Sequence, residues 1–460
     1  MPMKPYRCLS SCEEGFGTGV RVSSIATQGT HREDFLYIMG LVKIDQISPG
    51  MSLAEDLRDS RGRFLLANGV DLTPRHLRIL KMWGVIEANI EGIAAEEVED
   101  AAVREIDPAL MGMAEKIVSR RFRHSGTEHP ANRELLRIAT LLKAEELQRE
   151  WPEGGVEPCD CDEEGVCPDE VSPPTKNTID FHKLIRRHIL ELPTLPKIFL
   201  KMNETIAKPY SSATDIARVI SKDTGLSARL LRIVNSAFYG FPSKIESVSR
   251  AVAIIGTRQL GTLASGVTII NMFKDIPSDI IDMKSFWKHS IACGVHARII
   301  ASYQGIQNTE RLFLSGLLHD IGRLILYNYA PEHAVYALTK ARRTSGMVRE
   351  IENAELNFNH AEAGGLLLKK WKFPVLMEHA VQYHHDPQGT RDSLEPSIVH
   401  LADIMANAMG IGSSGERFVS PLDSDAWECL GLSANVMDVI IKQASRHIEE
   451  IFQFFYSNED

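Results

Sequence analysis

From about residue 178 to the end of the chain, apolar residues recur at intervals of three and four, segment after segment. This spacing is typical of amphipathic helices, and it predicts a mainly α-helical domain over 178–460. Ser212 followed by Asp215 predicts a capped helix start, and Asn235 and Ser236 lie where another helix should end. The last apolar stripe, over 436–455, predicts a helix that covers the core.

Residues 41–92 have a different pattern, with short alternating runs instead of long apolar stripes. These runs predict a small α+β unit, within a module bounded at 39–95. The strands are predicted at 41–44, 53–58, 63–67 and 85–90. Thr73 before Pro74 predicts the start of a helix, because proline is well tolerated at the first helical position.

The segments around this unit have weaker patterns. Residues 1–38 lack periodicity and predict a flexible tail, so that Met39 is a candidate natural start. A repeating apolar stripe within 96–149 predicts a helical connector. Residues 150–177 contain five prolines and a run of acidic residues without lysine or arginine until Lys176. Such a composition cannot bury enough apolar surface to fold alone, which predicts a linker.

Composition narrows the classes of function. The net charge of -10 and the pI of about 5.9 exclude a global basic surface for nucleic acid. No segment has the apolar length of a membrane span, and the first residues lack a signal core, so we expect a cytoplasmic protein with reduced thiols. Cys159, Cys161 and Cys167 cluster in the linker, but their spacing favours incidental cysteines over a zinc site.

The chemistry centres on His319 and Asp320, which interrupt one of the most apolar runs of the chain, 312–326. That run predicts a single buried helix. A buried carboxylate beside a buried imidazole is costly unless both have partners. A metal cation would satisfy both, since both groups are ordinary ligands of Zn, Mn and Fe. For this pair alone, a structural hydrogen bond is the alternative.

Further histidines and one aspartate lie within or beside other helical apolar patterns. Helices can project such residues from separate segments into one core, as in metal-binding bundles. They are His289, His360, His384, His385 and Asp403. Four other histidines keep the ordinary interpretation of hydrogen-bonded core residues, namely His296, His333, His379 and His400.

The order H…HD…H…HH…D resembles the HD superfamily of metal-dependent phosphohydrolases. The upstream segments resemble the HDOD family more narrowly, from about residue 180 to about 401, in the motifs at 192–196, 215–223, 226–240 and 251–256. The resemblance implies an all-helical domain of a bacterial signalling protein, a class in which most members have no established activity. Residues 47–51 and 62–69 resemble a small module found ahead of HD-GYP and HDOD domains.

The resemblance also implies a ligand set. His289, His319, Asp320 and Asp403 would form the primary metal position. His360, His384 and His385 would complete a second one, with Asp320 as the bridging ligand. The implied cofactor is one or two divalent ions of Fe, Mn or Zn.

Three departures from the HD-GYP pattern affect the expected chemistry. Ser285 stands where those enzymes have a glutamate ligand, Arg323 replaces the lysine of their H-D-I-G-K motif, and the Gly-Tyr-Pro signature after the histidine pair is missing. Asp320 and Arg323 are the candidate catalytic residues. Arg323 would contact a phosphate or form a surface ion pair.

Two functions therefore stay open. The first is a signal-transduction regulatory protein that acts by binding a signalling partner or a nucleotide-like ligand. The second is a metal-dependent phosphohydrolase or phosphodiesterase acting on a nucleotide or another phosphate ester. The missing glutamate and lysine favour the first. The sequence leaves the oligomeric state open.

Overall fold

The computed structural model describes residues 39–44, 47–58, 64–82, 87–91, 106–151, 197–208, 210, 212–241, 243–273 and 276–456. The predicted tail, the acidic linker beyond residue 151, the cysteine cluster and the motif at 192–196 lie outside these residues. The described part is mainly helical, as predicted, with a small α+β unit ahead of the helices.

The small unit has two antiparallel strand pairs and one helix. β1 (Met39–Lys43) pairs with β4 (Glu87–Glu91), and β2 (Leu57–Arg58) pairs with β3 (Phe64–Leu66). The prediction of a full strand over 53–58 is wrong, because Leu53 forms only an isolated bridge with Ile90. Both side chains lie in the small apolar core of this unit.

The helix of this unit, α1 (Pro74–Met82), begins where the sequence predicted. The Thr73 hydroxyl accepts a hydrogen bond from the backbone N–H of His76 at 3.1 Å. This cap satisfies one of the amide groups that the first helical turn leaves without a partner.

A succession of helices follows the small unit along the chain. In order, they are α2 (Pro108–Arg121), α3 (Pro130–Glu150), α4 (Lys197–Ala207), α5 (Ala213–Ile220), α6 (Thr224–Val234), α7 (Val248–Ile255), α8 (Thr257–Met272), α9 (Met283–Tyr303), α10 (Thr309–Leu318), α11 (Ile321–Tyr329), α12 (Pro331–Thr344), α13 (Val348–Leu356), α14 (His360–Lys370), α15 (Val375–Gln382), α16 (Leu394–Met409), α17 (Ser424–Leu430) and α18 (Val436–Tyr456). A single 3-10 turn, Pro387–Gly389, precedes α16.

Local sequence signals fix several of these ends. Ser212 and Asp215 form the predicted capping box at the start of α5. Asn235 ends α6, and its side-chain amide donates to the carbonyl oxygen of Ile245 at 2.8 Å while its oxygen accepts from the N–H of that residue at 2.7 Å. The structural interpretation of Asn235 is therefore confirmed.

One continuous apolar core runs through the helical body, with α9 at its centre. α9 packs against α10, α16 and α18, and almost every side chain from His289 to Ala301 is buried. The predicted C-terminal helix is confirmed, since α18 buries Met437, Ile440 and Ile451 in this core. α2 and α3, from the predicted connector, also contribute to the same core.

The prediction of one continuous helix over 312–326 is wrong. α10 ends at Leu318, and α11 begins at Ile321 after a break at His319 and Asp320. The backbone of Asp320, with φ -96° and ψ 11°, departs from the helical path. After the break, α11 packs against α14, so Gly322 meets the first turn of that helix.

In the part of the chain that the structure describes, no helix combines the length and the apolar character needed to cross a lipid bilayer.

A half-buried histidine on α18, His447, should make the stability of the fold depend on pH. Burial, and then the nearby positive charge of Arg298, lower the pKa of His447 to about 4. The unfolded chain, with an ordinary pKa near 6.5, therefore binds more protons between these values. We expect the free energy of unfolding to be highest above pH 6.5 and to fall by roughly 1–2 kcal/mol towards pH 4 from this group.

The measurement is urea denaturation at several pH values for the wild type and His447→Phe. The variant should show a shallower loss of stability below pH 6.5, because phenylalanine does not titrate. Equal slopes for the two proteins would show that His447 is not held neutral by its surroundings.

Candidate metal centre

The helical body brings together all seven predicted ligands from separate segments. His289 lies in the middle of α9, and Asp403 lies in α16. His319 and Asp320 occupy the break between α10 and α11. His360 is the first residue of α14, and His384 and His385 follow α15 after its C-cap residue Tyr383. The break in the predicted helix therefore lies at the site itself.

Three of these residues form what we call the first cluster: His289, His319 and Asp403. The Nε2 atoms of His289 and His319 lie 3.2 Å and 3.4 Å from Asp403 Oδ1, and 3.4 Å from each other. The exposed fraction of each residue is at most 4%. The nitrogen and oxygen atoms of the three side chains thus face one small, buried space.

The second cluster contains Asp320, His360, His384 and His385. Asp320 Oδ1 lies 3.1 Å from His360 Nε2 and 3.9 Å from His384 Nε2. His360 Nε2 also lies 3.0 Å from His385 Nε2. These four residues could hold one further ion.

Asp320 lies between the two clusters. Its Oδ2 is 3.3 Å from His319 Nε2 in the first cluster, while its Oδ1 faces the second. The family resemblance implies that this residue belongs to the primary position and bridges to the second. One carboxylate oxygen directed at each cluster is the arrangement that a bridging ligand needs.

Backbone and carboxylate groups orient three of the imidazole rings. His319 Nδ1 lies 2.7 Å from the Gly316 carbonyl oxygen, and His384 Nδ1 lies 2.6 Å from that of Val381. Because a carbonyl only accepts, each of these Nδ1 atoms donates, and Nε2 is directed at the cluster. Protein metal sites commonly orient their histidine ligands in this way.

The third ring, His360, is held by a residue that the sequence analysis missed. Glu352 on α13 is 3% exposed, and its Oε2 lies 2.5 Å from His360 Nδ1 and 3.0 Å from the His360 backbone nitrogen. Burial would raise the pKa of the Glu352 carboxyl, but His360 and Arg323 hold it below its usual value. The ionised carboxylate thus fixes the ring with Nε2 towards the second cluster.

The charges of the site suit a cation. Burial would raise the pKa of both aspartates, but Arg323 and His319 lower that of Asp320, and hydrogen bonds from His289 and His319 lower that of Asp403. Burial lowers the pKa of His384 and His385 well below the usual value, so both rings are neutral. Ionised carboxylates and neutral imidazoles are the protonation states that bind metal.

One buried atom supports the fit of a metal to this donor set. His384 Nε2 has no hydrogen-bond partner in the structure. Since Nδ1 of the neutral His384 ring carries the proton, Nε2 has a free lone pair, and it lies 3.9 Å from Asp320 Oδ1. Arg323 and His360 already contact that carboxylate oxygen, but no donor reaches the His384 lone pair. A buried acceptor without a donor is unfavourable, and a divalent ion bound by His384 and Asp320 would satisfy it.

Without a metal, protons on two histidines supply part of the positive charge. Burial disfavours the charged form of each ring, yet the Asp320 and Asp403 carboxylates raise the pKa of His319, and Glu352 and Asp320 raise that of His360. A divalent ion would displace these protons, so metal binding should release protons.

Arg323 lies in the interior and not at the surface. It is 1% exposed, so the expectation of a surface ion pair is wrong. Its Nε lies 3.2 Å from Asp320 Oδ1, and its Nη1 lies 3.9 Å from Glu352 Oε1. Arg323 therefore compensates two buried carboxylates behind the second cluster, and its predicted contact with a phosphate stays a prediction.

Three other residues supply no ligand atom to either cluster. Ser285 lies one turn before His289 on α9 and brings no carboxylate to the first cluster. His400 Nδ1 lies 2.8 Å from the His384 carbonyl oxygen, and its Nε2 accepts from the Asp423 N–H at 3.1 Å, so both nitrogens are used by the backbone. His296 is fully buried but belongs to neither cluster.

A cavity of about 330 Å³ reaches the second cluster at His385. Arg349, Asn359, Glu362 and Tyr383 also line it. The Arg349 guanidinium donates from Nη1 to the His385 carbonyl oxygen at 3.2 Å, while its Nε has no hydrogen-bond partner. This positive group at the cavity wall is a second feature that the sequence analysis missed.

Comparison with known proteins identifies the domain that carries most of this site. Residues 192–387 match the HDOD domain family. The chain contains an HDOD domain. Six of the seven predicted ligands lie inside the matched range of this HDOD domain, whereas Asp403 follows it. The match does not extend to the small unit at 39–95, whose likeness to a module found ahead of HDOD domains stays a prediction.

The fold agrees with this assignment. The crystal structure of an HDOD domain protein of unknown function from Geobacter sulfurreducens has a TM-score of 0.50 and 23% identity, covering 59% of this chain and 96% of that one. A protein from Shewanella amazonensis SB2B, whose name proposes a phosphohydrolase, has a TM-score of 0.49 and 22% identity, covering 59% and 98%. The first likeness shows a shared fold.

A curated relative from Treponema pallidum (strain Nichols) carries only the name of an uncharacterized protein. It is 26% identical over 220 residues, which cover 47% of this chain and 42% of the relative. The chain thus matches less than half of that protein's length.

Proposed function

We propose that this protein is a cytoplasmic bacterial signal-transduction regulatory protein whose HDOD domain acts by binding a ligand or a partner and retains an HD-type metal centre. One observation carries the metal part: the buried His384 Nε2, which has no hydrogen-bond partner and lies 3.9 Å from Asp320 Oδ1 within the second cluster. Imidazole and carboxylate donors together favour Fe, Mn or Zn over Mg or Ca.

The signalling role is supported by the enclosure of the first cluster. His289, His319 and Asp403 are almost fully buried, and neither described cavity is lined by them. Arg323, the candidate phosphate contact, is likewise enclosed by carboxylates. An ion in the first cluster would therefore tie α9, α10 and α16 together, which is a structural role.

A specific observation favours metal-dependent phosphohydrolysis as the second candidate. The cavity that ends at His385 leads to the second cluster, and Arg349 offers a guanidinium there. A bound divalent ion would polarise a phosphoryl oxygen and lower the pKa of a bound water. Arg349 would orient the phosphate of an ester, and the Asp320 carboxylate would help to hold the ion.

An activity screen separates the two candidates. Metal-reconstituted protein would be assayed with p-nitrophenyl phosphate, bis(p-nitrophenyl) phosphate and a set of nucleotides, next to Asp320→Asn, Arg349→Ala and Arg218→Ala. Arg218 is an exposed arginine on α5, far along the chain from the site. For a binding protein, we expect the wild type to hydrolyse no substrate faster than Asp320→Asn.

The phosphohydrolase would replace the signalling role if the wild type turned over one of these esters, if Asp320→Asn and Arg349→Ala lost that activity by about a hundredfold, and if Arg218→Ala kept it. Activity that persisted in Asp320→Asn would indicate a contaminating enzyme.

A further inference from the structure

A second and larger cavity lies at the other end of the α14–α15 helix pair. It has a volume of about 720 Å³ and lies between α4, α8 and the turn that joins α14 to α15. We call it the turn groove and define it by six lining residues: Arg258, Asn308, Arg311, Trp371, Lys372 and Phe373. Its volume is within the range of sites for small organic ligands.

Three residues that line the turn groove have buried polar atoms without partners. Trp371 is only 6% exposed, and its indole Nε1 has no hydrogen-bond partner in the structure. Asn308 Oδ1 and Arg311 Nε also have none. Buried polar groups are nearly always paired, and an unpaired one costs about 1–3 kcal/mol. A ligand that reached these atoms after small side-chain movements, with acceptors for the indole and guanidinium and a donor for the amide oxygen, would recover this cost.

The charge of the groove favours an anion. Arg258, Arg311 and Lys372 line it, against one acidic residue, Glu204. Arg311 is paired with Glu395 outside the groove lining, whereas Arg258 and Lys372 are exposed at its edge. Two exposed cations beside an enclosed aromatic surface match a ligand with an apolar ring and a charged tail.

The backbone at the turn makes Lys372 a suitable position for a test substitution. Lys372 has a φ of +57°, a left-handed conformation that costs a residue with a side chain about 1–2 kcal/mol relative to glycine. Glycine is the usual residue at such a helix end, so the lysine side chain can be removed there without strain.

We propose that the turn groove binds an anion of the nucleotide class, with its ring against Trp371 and Phe373 and its phosphate at Arg258 and Lys372. The inference rests on the ligand-binding part of the proposed function and gives that ligand a place. It does not depend on the metal: α14 has 11 residues, so the groove lies roughly 16 Å along this helix from His360.

The test uses the full chain treated with a chelator, so that metal cannot bind the nucleotide. Isothermal titration would measure the binding of AMP, GMP, CMP, UMP, cyclic AMP and cyclic GMP. The matched controls are guanosine and adenosine, which lack the phosphate, and inorganic phosphate, which lacks the ring. At least one nucleotide should bind about tenfold more tightly than its nucleoside and than phosphate alone.

Three variants locate the binding. Arg258→Ala and Lys372→Gly should weaken binding by about tenfold each, and Lys372→Gly should not destabilise the fold, since glycine accepts the left-handed backbone. Trp371→Phe removes the indole N–H. Arg250→Ala, an exposed arginine on the neighbouring α7, should bind as the wild type does.

No nucleotide binding below about 1 mM, or equal affinities in wild type, Arg258→Ala and Lys372→Gly, would overturn the proposal. Capture of a peptide or protein by the same residues, without nucleotide binding, would also overturn it. Asp320→Asn separates the two proposals, because it removes a candidate metal ligand and leaves the turn groove unchanged. If this variant binds nucleotide normally and the wild type takes up no metal, the metal centre is excluded and the turn groove is supported.

Discussion

Asp320→Asn should abolish most of the metal binding of this protein. The wild type, reconstituted under reducing conditions, should contain up to two equivalents of Fe, Mn or Zn, according to the two donor clusters. Asp320 supplies an oxygen to both, and the asparagine keeps its size while it removes the charge. Loss of an anionic ligand that serves two ions should lower the affinity for each by at least about a hundredfold.

Elemental analysis of the purified proteins after exhaustive dialysis measures this effect. His296→Gln is the matched control, because His296 is buried on the same helix as His289 but belongs to neither cluster. It should retain the wild-type metal content. A wild type that takes up no metal would mean that protonated His319 and His360 neutralise the aspartates permanently, and the metal centre would be excluded.

Gly322→Ala should destabilise the fold by about 3 kcal/mol or more. A Cβ atom at Gly322 would lie 1.9 Å from the His360 carbonyl oxygen and 2.7 Å from the Gly364 backbone nitrogen. Both neighbours are backbone atoms of α14, so relief requires α11 and α14 to separate. Because His360 belongs to the second cluster, the variant should also bind less metal.

The free energy of unfolding, from urea denaturation, measures this effect. Gly112→Ala is the matched control, since Gly112 lies inside α2 and a Cβ there would meet no atom within 4 Å. Alanine should stabilise that helix by about 0.5–1 kcal/mol. If Gly322→Ala were as stable as the wild type, α11 and α14 could not be as close as the structure places them.

The sequence predicted the helical body because its signals are local. Apolar spacing located the helices, and the capping pair at Ser212 and the final helix over 436–455 were confirmed. The order of histidines and aspartates identified the seven residues that the structure brings together. Their role as metal ligands stays a prediction.

What the sequence did not predict depends on packing between segments. The apolar period continues across 312–326, so nothing local shows that the chain turns at Asp320. Glu352 is one of three glutamates on α13, and only the approach of α14 decides which of them is buried. The sequence left Arg323 open between a phosphate contact and a surface ion pair, because its partner Glu352 lies on another helix.

The α14–α15 pair has a consequence for regulation. Its helices lie antiparallel and very close, since a Cβ on Gly364 would be 2.8 Å from a Val381 side-chain atom. One end of this pair carries His360, His384 and His385, and the other carries Trp371 and the turn. If occupancy of the turn strengthens metal retention by some factor, thermodynamic linkage requires the metal to tighten occupancy of the turn by the same factor.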